Sequence, residues 1–348
     1  MNPLLGIVLH AVGGFAAGSF YIPFKKVREW SWESYWLVNG VAAWLIVPWI
    51  VAFITVPDLL GVLATAPPGN ALAAFVFGLL WGVGGLTFGL SMRYLGMSLG
   101  YALTLGYCAA FGTVVPPIYF GTFGRLTGSL SGILTLAGVG VCLAGIAVCG
   151  WAGILKEREL SDEAKRATVA EFNFRKGFWI ALVCGIMSAC FAFGLAAGKP
   201  IAENAVSRGT IPLFMNSPVF LYIMGGGFVT NCVWCLWLNR RNRSLGDYLD
   251  GKKPLASNYL FSAMAGSIWY CQFMFYGMGT TKMGAYDFSS WSIHMAFIIA
   301  FSNVWGLFFK EWRGSSRRTV GTVVAGIAVL VASTMVIGLG NYLASRGM

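Results

Sequence analysis

The chain has 348 residues, of which 57% are hydrophobic and only 11% are charged. Soluble globular domains give about a quarter of their residues to charge, so this composition excludes an ordinary soluble domain. The formal net charge is +11, but the basic residues form short clusters between apolar runs, which does not favour nucleic-acid binding. The composition therefore predicts an integral membrane protein whose basic clusters flank its spans.

Long apolar runs bounded by charge, Pro or Gly follow one another along the whole chain. An α-helix needs roughly 20 residues to cross the bilayer, whereas strands of a β-barrel would show shorter segments of alternating polarity. The runs predict ten transmembrane helices, near residues 3–24, 36–57, 71–92, 98–120, 131–152, 177–199, 211–237, 257–279, 286–309 and 320–342. Because the basic cluster follows the first run instead of preceding it, we interpret that run as a retained helix and not a signal peptide.

The basic residues are distributed unequally between the two sets of alternating connections. Nineteen of the 24 Lys and Arg residues lie in the connections after spans 1, 3, 5, 7 and 9, and four lie in the others. Short loops rich in Lys and Arg stay in the cytoplasm. We therefore expect both termini to lie on the periplasmic side of a bacterial inner membrane.

The longest hydrophilic stretch divides the chain into two parts of five spans each. It predicts an N-terminal half at 1–152, a cytoplasmic linker at 153–176 and a C-terminal half at 177–348. With an odd number of spans per half, homologous halves must have inverted topology, as in many secondary transporters. The repeat signal is faint, with small residues at 14–20 loosely matched at 185–191, so chance similarity stays open as an alternative.

Asp287 is the one carboxylate that opens an apolar run, since the other twelve belong to loops or span edges. A helix starting there would place Asp287, Trp291 and His294 on one face. An intramembrane ionisable group is a functional candidate, and Asp287 assisted by His294 is our prediction for the proton-coupling site. The alternative is that Asp287 only caps the helix N-terminus.

Polar and aromatic residues within other predicted spans suggest a sugar site. A sugar presents hydroxyl edges and C–H faces, which amide or phenol groups and an aromatic platform can hold. The candidates for substrate contact are His10, Trp81, Trp269, Gln272 and Tyr276. For the two histidines the alternative is a hydrogen bond that ties two helices, and for the aromatic residues it is ordinary packing or an interfacial belt.

The sequence lacks the usual motifs of an enzyme, and its Cys232-x-x-Cys235 pair has no second pair or nearby His that would complete a zinc site. It contains no phosphate-binding Gly loop ending in Lys-Ser or Lys-Thr, no HExxH and no GxSxG motif. All eight cysteines fall inside predicted spans, where we interpret them as small apolar packing residues. We therefore expect no enzymatic activity and no cofactor.

Several stretches in order along nearly the whole chain resemble the L-rhamnose–proton symporter family, a branch of the drug/metabolite transporter superfamily. They are residues 20–33 (FYIPFKKVREWSWE), 92–100 (MRYLGMSLG), 155–158 with 171–173 and 175–177, 269–273 (WYCQF), 286–295 (YDFSSWSIHM) and 307–312. The resemblance implies ten helices in two inverted halves and uptake of L-rhamnose coupled to protons. His10, Trp81, Arg93, Asp287 and His294 fall on matching motifs, and the resemblance adds Arg93 and Trp291 to the candidate substrate-binding residues.

The expected mechanism is alternating access around a midplane cavity formed by spans 1, 3, 4, 6, 8 and 9. The expected partners are the sugar, protons and the lipid bilayer. Residues 82–89 lack asparagines that the resemblance leads us to expect, and residues 101–120 diverge. Another 6-deoxysugar therefore stays open as the substrate. An exporter of drugs or metabolites from the same superfamily and a membrane sensor stay open as alternative functions.

Overall fold

The computed structural model describes residues 2–95, 97–119, 121, 123–159, 173–309 and 312–347, and the secondary structure in these ranges is helical. The α-helices, in chain order, are α1 (Pro3–Ser19), α2 (Trp32–Gly40), α3 (Val47–Thr55), α4 (Leu59–Ala64), α5 (Pro68–Leu95), α6 (Met97–Tyr119), α7 (Phe123–Thr127), α8 (Leu130–Glu159), α9 (Phe174–Ala197), α10 (Lys199–Ser207), α11 (Ser217–Asn242), α12 (Leu255–Met283), α13 (Ser290–Phe308) and α14 (Arg317–Ser345). Most of the predicted linker lies outside the described residues.

Eight helical segments among the described residues are long and apolar enough to cross a membrane. They are Pro3–Lys26, Trp32–Thr55, Pro68–Phe88, Leu130–Lys156, Arg175–Ser207, Pro212–Asn242, Asp287–Phe308 and Arg317–Ser345. A shorter apolar helix covers Leu103–Val115 within α6, and the 29-residue α12 covers the predicted eighth span. The chain is thus a multi-pass, all-helical membrane protein, while the count of ten spans and the inverted halves stay predictions.

The described chain forms two compact units. Unit 1 contains residues 1–15, 84–189 and 279–348, and unit 2 contains residues 16–83 and 190–278. Each unit therefore includes segments from before and after the hydrophilic stretch at 153–176. The helices α1, α5, α9 and α12 each contribute residues to both units.

Unit 1 is built around the close packing of α8 against α14. A Cβ at Gly145 of α8 would lie 2.9 Å from Leu330 Cδ2, and one at Gly326 of α14 would lie 2.6 Å from Cys149 Sγ. Small residues let helix backbones approach where the lipid offers no hydrophobic drive for association. The buried thiol of Cys149 fills this contact, in keeping with the packing role expected for the cysteines.

Unit 2 contains a distorted span that consists of α2, the π-helical turn Val41–Ile46 and α3. Pro48 has no backbone N–H, and its ring would clash with the carbonyl of residue 44 in a regular α-helix. The hydrogen-bond ladder accordingly widens, and the N–H of Val47 donates to the carbonyl of Ala42, five residues back. The turn aims the side chain of Trp44 differently from its place in a regular helix.

Candidate functional site

The two histidines of the chain meet in unit 1. His10 on α1 and His294 on α13 are 0% and 1% exposed, and their ring centroids are 6.0 Å apart at an interplanar angle of 61°. Gly279 of α12 completes this group, because a Cβ at that position would lie 2.6 Å from His10 Cε1. Residues from three helices therefore form a buried contact between the two imidazoles. The sequence alone did not predict this contact.

Asp287 lies in the 3₁₀ turn Gly284–Ser289 that precedes α13, and its side chain is exposed. The α-helix begins at Ser290, and its N-cap residue is Ser289. The structure thus differs from the sequence interpretation in one respect, because Asp287 precedes the helix and does not share its regular face with Trp291 and His294. Asp287 lies at the entry to α13, three residues before Ser290.

Trp291 is buried in unit 1 and joins α13 to α6. Its indole N–H donates to the carbonyl of Cys108 over 3.0 Å, and its ring occupies the space left by the missing side chain of Gly112. One residue further, the hydroxyls of Ser292 and Thr113 are 2.7 Å apart. These contacts give Trp291 a packing role. Arg93 lies on α5, and its side chain is outside the described residues.

Trp81 and Trp269 lie within a large aromatic cluster of unit 2. Trp44 contacts both of them, with ring centroids 5.9 Å from Trp81 and 5.7 Å from Trp269. Trp36 lies 5.1 Å from Trp269. The Trp81 ring packs directly against the backbone of α11 at Gly227, where a Cβ would lie 2.6 Å from the ring.

The other two candidates on α12 extend this cluster. Tyr276 and Gln272 are 3% and 6% exposed, and the Tyr276 ring lies 6.0 Å from Phe191. Phe191 in turn lies 4.4 Å from Phe273, which lies 5.2 Å from Trp81. Unit 2 thus contains four of the predicted sugar contacts, as buried side chains or members of the aromatic cluster: Trp81, Trp269, Gln272 and Tyr276. Unit 1 contains His10 and Trp291.

Sequence reasoning missed Trp36 and Trp44, the two tryptophans of the distorted span. Trp36 Nε1 donates to Asn231 Oδ1 over 3.2 Å, and Asn231 is held by a 2.9 Å hydrogen bond from its amide to the carbonyl of Gly227. The available signal was Pro48, which predicts a distortion near residue 44 within an otherwise apolar run.

Sequence reasoning also missed a buried polar network in unit 2, because its carboxylates were assigned to span edges and loops. Glu33 accepts from Ser244 Oγ at 2.6 Å and from Asn242 Nδ2 at 3.0 Å. Asp247 accepts from Ser34 Oγ at 2.7 Å and from Lys253 Nζ at 2.7 Å. Both carboxylates are almost fully buried. The network ties the start of α2 to the connection between α11 and α12.

Asp247 remains a carboxylate despite its burial. Burial by itself would raise its pKa, but the hydrogen bond from Lys253 Nζ, together with those from Ser31 N and Ser34 Oγ, holds the pKa below its usual range. The same pair raises the pKa of Lys253. Lys253 therefore balances the negative charge of Asp247 within the network, which gives this ion pair a structural role.

The chain matches known proteins over nearly its whole length. The family model described as L-rhamnose-proton symport protein matches residues 2–344. An L-rhamnose-proton symporter from Cronobacter sakazakii is 40% identical over 340 residues, which cover 97% of each chain. One from Yersinia pestis is 40% identical over 341 residues, which cover 97% of this chain and 98% of that protein.

Proposed function

The chain belongs to the L-rhamnose-proton symport protein family, and we propose that it imports L-rhamnose together with protons by alternating access. The observation that carries this proposal is the family match over residues 2–344. We further propose ten spans in two inverted five-helix halves, with both termini on the periplasmic side of a bacterial inner membrane. The unequal distribution of Lys and Arg between the connections supports this orientation.

For the proton, we propose binding at Asp287 with assistance from His294. The exposed carboxylate of Asp287 at the entry to α13 is accessible to a proton, and the buried imidazole of His294 lies on α13 itself. Two charged imidazoles 6.0 Å apart would repel each other by about 3 kcal/mol at an effective dielectric constant near 20. The histidine pair therefore disfavours two protons at once, a property that suits a relay.

For the sugar, we propose contacts with Trp81, Trp269, Gln272 and Tyr276. Indole faces cover the C–H faces of a pyranose, while an amide and a phenol exchange hydrogen bonds with its hydroxyls. The aromatic cluster around Trp81 and Trp269 supports this assignment. The contact from His10 stays a prediction from its place in the first span, and the contacts from Arg93 and Trp291 stay predictions of the family resemblance.

Uptake of labelled L-rhamnose by cells that express the chain tests this function. We expect accumulation above the external concentration, and its loss when an uncoupler collapses the proton gradient. Accumulation that survives the uncoupler would contradict proton coupling. Absence of any L-rhamnose entry, with uptake of another 6-deoxysugar, would contradict the proposed substrate.

A further inference from the structure

Two indole N–H groups in the aromatic cluster of unit 2 have no hydrogen-bond acceptor in the part of the chain that the structure describes. They are Nε1 of Trp44 and Nε1 of Trp269, both fully shielded. Their rings are neighbours, with centroids 5.7 Å apart at 67°. Buried donors in proteins are nearly always paired, so two such groups side by side need an explanation.

The third tryptophan of this group shows that the cluster can satisfy an indole. Trp36 lies 5.1 Å from Trp269 and 6.4 Å from Trp44 by ring centroids, yet its N–H donates to Asn231 Oδ1. The amide of Asn231 is itself oriented by the carbonyl of Gly227. Among Trp36, Trp44 and Trp269, the described residues therefore supply a dedicated acceptor for the indole of Trp36 and none for the other two.

A second observation is the unpaired amide of Asn39, which lies on the same distorted span as Trp44. This side chain is 0% exposed, and neither its Nδ2 nor its Oδ1 has a hydrogen-bond partner among the described residues. Asn39 precedes the π-helical turn that carries Trp44, and Gly266 of α12 packs against the adjoining backbone, with a Cβ there 3.1 Å from Ala43 N. Trp269 follows Gly266 by one helical turn.

The backbone around Trp44 also departs from a regular α-helix. A Cβ at Gly40 would lie 2.7 Å from Trp44 Cζ3, so the indole lies back over a residue that has no side chain. π-helical turns within α-helices occur often at functional sites, because they re-aim a side chain at the expense of regular hydrogen bonding. Here Trp44 lies in the widened turn, and its indole ring packs over Gly40.

We propose that Trp44, Trp269 and Asn39 form a recognition site for hydroxyl groups of the transported sugar. The indoles offer two donors to hydroxyl or ring oxygens, and the amide offers both donors and an acceptor. These three side chains and the rings that contact Trp44 and Trp269 are uncharged, so the site fits a neutral polyhydroxy ligand better than an ion. This inference rests on the proposed function and adds Trp44 and Asn39 to its substrate contacts.

The test compares Trp44→Phe with Trp36→Phe in the purified full-length protein. Both changes keep an aromatic ring and remove one N–H, but only the Trp36 group already has an acceptor in the protein. Equilibrium binding of L-rhamnose is measured by calorimetry, and the thermal unfolding temperature of each variant is recorded beside it. We expect Trp44→Phe to raise Kd about five- to tenfold, the loss of one neutral hydrogen bond, and Trp36→Phe to change Kd less than about twofold.

A series of monodeoxy analogues of L-rhamnose makes the test independent of folding defects. In the wild-type protein, removal of the hydroxyl that accepts from Trp44 weakens binding. In Trp44→Phe the same analogue binds as well as the parent sugar. Equal Kd values for wild-type and Trp44→Phe, or equal losses in Trp44→Phe and Trp36→Phe, would overturn this inference while leaving L-rhamnose as substrate. A wild-type protein that binds another neutral polyol and not L-rhamnose would overturn the proposed substrate, whereas one that binds no neutral polyol would overturn both.

Discussion

The two compact units contain different chemistry. Unit 1 holds the buried His10–His294 pair and Asp287, and its helices are joined by hydroxyl and amide contacts such as Thr113–Ser292 and Asn341–Ser289. The helical spans of unit 2 hold a cluster of tryptophan and phenylalanine rings, and its buried carboxylates lie in a network where Lys253 neutralises Asp247. We propose that this difference separates proton transfer, at the titratable groups of unit 1, from neutral recognition of a sugar in unit 2.

The largest effect is expected from Asp287→Asn, which removes the proposed proton site of unit 1. One proton moving through 100 mV contributes about 2.3 kcal/mol, or roughly 50-fold in accumulation ratio. We expect the variant to equilibrate L-rhamnose without concentrating it, as measured by the steady-state ratio in energised cells. The matched control is Asp58→Asn, an exposed carboxylate paired with Arg208. Equal accumulation by Asp287→Asn and wild-type would remove Asp287 from the coupling site.

Gly279→Ala tests whether the histidine pair depends on the close approach of α12. The new methyl would lie 2.6 Å from His10 Cε1, and the buried ring has no exposed space into which to move. Overpacking of this kind destabilises by roughly 2 kcal/mol, and we also expect slower proton-coupled uptake because the imidazole is displaced. Thermal unfolding and uptake rates measure the two effects.

Gly140→Ala on α8 is the control for this change, since nothing lies within 4 Å of a Cβ at that position. It should unfold at the wild-type temperature or slightly above it, because Ala favours a helix more than Gly does. Similar losses in both glycine variants would mean that α12 does not hold His10 in place.

Asp247→Asn tests whether the buried carboxylate of Asp247 in unit 2 serves structure alone. The variant should lose about 1.5 kcal/mol of stability at pH 7, while the sugar-induced proton uptake should persist. Because the folded pKa of Asp247 is depressed, the charge stabilises the protein above the unfolded pKa of about 3.9, and this stability is lost as pH falls through the lower folded value. Unfolding temperatures of variant and wild-type should therefore converge at acid pH.

The control for Asp247→Asn is Glu203→Gln, an exposed carboxylate on α10. We expect this variant to keep the wild-type unfolding temperature at pH 7, because the side chain is exposed. A difference between Asp247→Asn and wild-type that stays constant down to pH 3 would show that the lost stability does not come from the Asp247 charge.

The smallest effect is expected from Thr113→Val, which removes one polar tie between α6 and α13 in unit 1. The 2.7 Å contact with Ser292 is buried, and its loss should lower the free energy of unfolding by about 1 kcal/mol with little change in Kd for L-rhamnose. Thermal unfolding and sugar binding, measured on the same sample, separate the effect on stability from the effect on Kd. A large rise in Kd would move sugar recognition into unit 1 and contradict the comparison between units.

The sequence alone predicted the helical membrane class, the family and most of the helices, because apolar runs and basic clusters are local signals. The sequence also marked both histidines and Trp81 as candidate site residues, because they lie inside apolar runs. It could not place Trp44, whose direction depends on the π-helical turn before Pro48. Nor could it pair Ser34 with Asp247, since such contacts join segments more than 200 residues apart. The division into sequence halves remains a prediction, while each unit combines segments from both sides of the hydrophilic stretch.

The central claim, proton-coupled entry of L-rhamnose, is tested most directly by external pH in lightly buffered, energy-depleted cells that express the protein. Addition of L-rhamnose should alkalinise the medium as protons enter with the sugar, and the pH change should vanish in Asp287→Asn. Entry of labelled L-rhamnose into wild-type cells without any alkalinisation would contradict symport.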